Sequence, residues 1–88
     1  MDCSSEDSLW SEEAVYGTYV EFVNETGVSV EIYWLDYDGR RVLYNRLSPG
    51  QKYLQQTFVT HPWMAVDSTG RCLGIYLPDW QFASVTLR

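Results

Sequence analysis

One run constrains the fold more than any other. In Val28-Ser29-Val30-Glu31-Ile32-Tyr33-Trp34, the residues Val28, Val30, Ile32 and Trp34 alternate with Ser29, Glu31 and Tyr33. Successive side chains of a strand point to opposite faces, so a period of two describes a half-buried β-strand. Asp38-Gly39 then supplies the strongest short hairpin signal in the chain, and Val42-Leu43-Tyr44 returns as the partner strand.

The same grammar runs along the rest of the chain. Thr18 to Asn24 alternates, with Val20 and Phe22 on one face and Glu21 on the other. Further strands are expected over Gln51 to Phe58, Trp63 to Val66, Cys72 to Leu77 and Phe82 to Leu87. Between them lie the turns Asn24-Glu25-Thr26-Gly27, Leu47-Ser48-Pro49-Gly50, Thr60-His61-Pro62-Trp63, Asp67-Ser68-Thr69-Gly70 and Pro78-Asp79. No segment of helical length holds a helical period. About seven short strands with closely spaced turns predict an all-β sandwich or small barrel.

Eighty-eight residues make one domain. Aromatic residues are 16% of the chain, so large rings must build much of its core. The net charge is −6, but Asp2, Glu6, Asp7, Glu12 and Glu13 fall in the first 13 residues, where there is no base. Residues 14–88 hold six bases against seven acids. Residues 1–16 therefore read as an acidic flexible leader, and 17–88 as the β-sandwich domain. A nucleic-acid partner needs a basic stripe, and so does an anionic membrane surface; neither partner is expected. No apolar run approaches the length of a membrane span, and the acidic N-terminus is unlike a secretory signal. Cys3 and Cys72 are expected as free thiols in a reducing compartment. The sequon Asn24-Glu25-Thr26 is read as a chance match.

Catalysis finds little support. The single histidine, His61, excludes a histidine-rich metal site, and no metal or other cofactor is expected. No Cys-x-x-Cys, phosphate loop or Gly-x-Ser-x-Gly is present. Asp36 and Asp38 flank the hairpin and read as turn chemistry. The rings with polar edges, Trp34, Tyr44, His61 and Trp63, hold more interest. Each has a plain alternative: the two tryptophans as core, His61 as a surface turn residue.

The run from Asn24 through Trp34 to Gly39 resembles the β domain of the von Hippel–Lindau tumour-suppressor family. So do Tyr44, Leu47-Ser48-Pro49-Gly50 and Thr57-Phe58-x-x-His61-x-Trp63, with no gap from Asn24 to Trp63. Phe82 to Leu87 is similar to the family's last β-strand. The resemblance covers roughly residues 18–88 and implies a seven-stranded β-sandwich. It further implies a non-catalytic substrate-recognition module that binds an extended peptide of a hypoxia-inducible factor α subunit through one 4-hydroxyproline. The peptide is held partly by strand addition. By the resemblance, Trp34 and Trp63 would wall the pyrrolidine ring and Tyr44 would close the side. Thr57 and His61 would hydrogen-bond the hydroxyl.

The family serves a cullin E3 ubiquitin ligase through a helical domain that docks Elongin C; that domain is absent from these residues. The implied location is cytoplasmic and nuclear. Two departures touch the site. Thr57 stands where the family has serine, and its methyl stiffens the side chain. Tyr53-Leu54-Gln55-Gln56 stands where the family carries basic residues, which weakens attraction for an acidic peptide. Two alternatives follow: a structural or interaction sandwich that has lost hydroxyproline selectivity, or a short form that shields its target from ubiquitination. A small hydrolase or enzyme accessory is the least supported reading.

Overall fold

A computed structural model describes residues 1–88. After a 3-10 turn at Cys3–Ser8, seven strands follow: β1 Gly17–Asn24, β2 Val30–Leu35, β3 Arg41–Leu47, β4 Lys52–Phe58, β5 Trp63–Asp67, β6 Cys72–Tyr76 and β7 Ala83–Leu87. They form a three-stranded sheet in the order β4-β1-β7 and a four-stranded sheet in the order β3-β2-β5-β6. All neighbours are antiparallel except β1 and β7.

The alternating stripes face each other across this sandwich. Val20, Phe22 and Leu87 of the smaller sheet pack against Val30, Ile32, Leu47, Trp63 and Ala65 of the larger one. The turns behave as their residues dictate. Asp36 Oδ1 accepts from the N–H groups of Asp38 and Arg40, which closes the β2–β3 hairpin. Asn24, fully buried, donates from Nδ2 to the carbonyls of Val28 and Leu47, while its Oδ1 accepts from Thr26. The apparent sequon is thus a structural asparagine with no room for a glycan.

The cysteine expectation is corrected: Cys3 and Cys72 are joined in a disulfide, and no free thiol remains. The segment expected as a loose leader is what brings Cys3 there. It lies on the outer face of the four-stranded sheet. Leu35, Met64, Val66 and Ile75 form a second apolar cluster on that face, with Cys3 and Leu9 packed against it. This explains why all five positions of β5 are buried, where a one-sided strand would alternate. Polar ties along its length hold the segment. Met1 N donates to the Ile75 carbonyl, and Ile75 N donates back to Met1. Glu6 forms a two-pronged ion pair with Arg41. The buried Ser11 donates from N to the Asp36 carbonyl and from Oγ to the Leu35 carbonyl. The charge pattern of residues 1–13 concealed this, because the anchors are main-chain groups and isolated side chains. No helix is long and apolar enough to cross a membrane.

Candidate functional site

At one end of the sandwich, Trp34, Tyr44, Thr57, His61 and Trp63 line a single cleft of about 240 Å³. Trp34 and Trp63 are opposite each other in the β2–β5 pairing, so both rings stand on the same face. Tyr44 reaches them through an irregularity. The β2–β3 register shifts between Ile32 and Tyr33, so that Ile32 faces Asn45, Tyr33 faces Leu43, and Tyr44 is the extra residue. A bulge re-aims its side chain. The Tyr44 ring then stands edge-on to both tryptophans, 6.0 Å from Trp34 and 4.9 Å from Trp63 between centroids.

Thr57 comes from the other sheet, near the end of β4. Trp63 Nε1 donates to Thr57 Oγ1 at 2.8 Å, and this bond bridges the two sheets at the floor of the cleft. The indole N–H occupies one lone pair of the hydroxyl, whose own proton is left to donate. His61 follows a tight turn in which its N–H donates to the Phe58 carbonyl, with Thr60 at φ 81°. The Pro62 carbonyl accepts from Leu35 N, which ties the turn to β2. His61, 5% exposed, lies 5.5 Å from Trp34 between ring centroids. Its Nε2 is 3.0 Å from the main-chain carbonyl of Glu12.

The plain alternatives fare differently. Trp63, 2% exposed, belongs to the core and also lines the cleft. Trp34 is only half-buried, and its buried Nε1 has no partner. His61 is a buried wall of the cleft and not a surface turn residue. Tyr37, Gln55, Gln56 and Phe58 also line the cleft. Sequence reasoning missed them as site residues, because a hairpin tyrosine and a polar strand carry no signal of convergence. Tyr37 stands 5.4 Å from Trp34 and 5.5 Å from His61, edge-on to each.

The cleft is lined by aromatic rings and polar side chains. No charged side chain lines it. Flat aromatic faces surround a hydroxyl donor and an imidazole, a surface for an apolar ring bearing one polar group. β4 pairs only with β1, so its other edge, beside Gln55 to Phe58, is free for an added strand. Gln55 and Gln56 donate from Nε2 to the carbonyls of Gln56 and Thr57, so their amides partly cover that stretch. A second, larger cleft of about 320 Å³ opens between β6 and β7, with eight of its nine lining residues hydrophobic. It lacks a comparable set of polar groups. No group of three or more histidine, cysteine or acidic side chains is placed to hold a metal ion.

A family model described as VHL beta domain matches residues 5–75. The matched span contains all five expected site residues and most of the N-terminal segment, and it leaves β7 outside. No curated protein matches the chain.

Proposed function

The chain belongs to the VHL β-domain family, whose members are substrate-recognition domains of cullin E3 ubiquitin ligases, and from that premise we propose that it reads 4-hydroxyproline in an extended peptide. The observation that carries this reading is the Thr57–Trp63 bridge beside His61, inside an aromatic cleft. Trp34, Tyr44 and Trp63 enclose the pyrrolidine ring. Thr57 donates to the ligand hydroxyl, and His61 accepts from it. Peptide backbone runs along the free edge of β4.

Selectivity follows from desolvation. Plain proline would leave the Thr57 O–H donor and the second ring nitrogen of His61 unpaired, at about 1–3 kcal/mol each. Together that amounts to roughly a thirtyfold preference or more, since about 1.4 kcal/mol is tenfold. The proposed target is a hydroxylated peptide of the hypoxia-inducible factor α type, and the proposed role is oxygen-dependent and non-catalytic. Elongin C and a cullin would be engaged by a helical region outside these seven strands. The proposed setting is cytoplasmic and nuclear, where the Cys3–Cys72 bond meets reducing conditions.

The test is the double variant Thr57→Ala with His61→Ala, titrated with hydroxylated and unmodified peptide. The proposal expects the preference to vanish; a wild-type preference in the double variant contradicts it. The burial of Trp63 favours a second reading, a sandwich that keeps the fold without the selectivity. That reading expects equal, weak binding of both peptides by the wild type.

A further inference from the structure

We propose that the N-terminal segment is part of the hydroxyl-reading site: the Glu12 main-chain carbonyl fixes the proton of His61 on Nε2 and so leaves Nδ1 as the acceptor. The inference rests on the hydroxyproline reading and adds a positioning group to it. A carbonyl oxygen can only accept, so the 3.0 Å contact between Glu12 O and His61 Nε2 requires the proton on Nε2. In the neutral ring the other nitrogen then carries a lone pair. The ligand hydroxyl donates to that lone pair and accepts from the Thr57 proton, which the Trp63 bond leaves available. Glu12 therefore sets the polarity of the site without touching the ligand.

Glu12 is placed with care for a residue whose side chain is exposed. Its neighbour Ser11 is 2% exposed and bonded twice to β2 and its turn, through Asp36 O at 2.9 Å and Leu35 O at 2.5 Å. Two residues earlier, Leu9 crosses the hairpin so closely that a Cβ on Gly39 would stand 2.9 Å from its carbonyl oxygen. Gly39 also has φ 78°, so the turn and the crossing both require glycine. Further back, the Glu6–Arg41 pair and the disulfide fasten the segment to the sheet. Because the acceptor is main chain, the identity of residue 12 is free and the path of the segment is not.

His61 is the sole histidine, so its ring nitrogens are read without ambiguity by long-range proton–nitrogen NMR. In the full chain the spectrum should show the proton on Nε2 alone. Ser11→Pro removes both anchors beside Glu12. It should mix the two tautomers and lower the preference for the hydroxylated peptide about tenfold, the size of one hydrogen bond near 1.4 kcal/mol. Glu13→Ala should change neither. A wild-type His61 protonated on Nδ1 overturns the inference by itself, even where Ser11→Pro does not fold. So does a folded Ser11→Pro chain with tautomer and preference intact. A wild type with the Nε2 proton but no preference for hydroxyproline overturns the ligand reading and supports the tautomer assignment.

Discussion

The indole of Trp63 and the hydroxyl of Thr57 are joined by a 2.8 Å hydrogen bond that crosses from one sheet of the sandwich to the other. One bond thus serves the core and the cleft. It satisfies a buried indole N–H and it orients the hydroxyl that the cleft presents.

Substitution at residue 57 should separate these two roles. Thr57→Val keeps the shape but orphans the Trp63 N–H, which costs about 1–3 kcal/mol of stability and removes the donor to the ligand. Thr57→Ser keeps both bonds and should leave peptide preference within a fewfold of wild type. Chemical denaturation alongside peptide titration checks both.

Trp34 should behave in the opposite way. Its Nε1 is buried without a partner, so Trp34→Phe removes an unsatisfied donor along with some packing. Stability should change by less than about 1 kcal/mol, while peptide affinity falls about tenfold or more through loss of an aromatic wall. A large loss of stability with affinity retained would make Trp34 a core residue.

Thr60 is the one non-glycine residue with positive φ, and its Oγ1 is also buried without a partner. A β-branched residue there stores strain of about 1–3 kcal/mol. Thr60→Gly should stabilise the fold by about 1 kcal/mol after allowance for the extra freedom of glycine when unfolded. A thermal melt reads this directly.

Four carboxyls are held below their ordinary range. The Ser4 backbone N–H does this for Asp2, Arg41 for Glu6, the Tyr33 hydroxyl for Glu31 and the Thr69 hydroxyl for Asp67. A depressed carboxyl stabilises the fold above its unfolded value and loses that contribution as pH falls through the folded value. Their contribution to Tm should therefore hold steady from pH 7 to about 5 and fall below about pH 4. Asp67→Asn should make that acid limb shallower.

Reduction of Cys3–Cys72 opens a link spanning 69 residues of sequence, which the chain-entropy picture values at roughly 4 kcal/mol. The main core lies between the sheets, away from the disulfide. Under a dithiol, hydrogen exchange should quicken in residues 1–12 and at β6 before it quickens in β1 and β2.

The strands were legible because most bury a single face. Val20 and Phe22, then Val30 and Ile32, alternate with polar neighbours, and Asp38-Gly39 closes the β2–β3 hairpin as its chemistry demands. β5 was readable as a strand, but its two-sided burial was not, since Cys3 and Leu9 cover it from the far end of the chain. The tyrosine at 44 was legible by resemblance, while the bulge that turns it toward Trp63 depends on register. The role of Glu12 was invisible because its carbonyl makes the contact.

The most direct test of the account is a paired calorimetric titration of the full chain. One peptide is a hypoxia-factor-like sequence with 4-hydroxyproline, and the other has proline at the same position. The hydroxylated peptide should bind about thirtyfold tighter or more. Equal affinity for the two peptides, or binding of neither, would contradict the account.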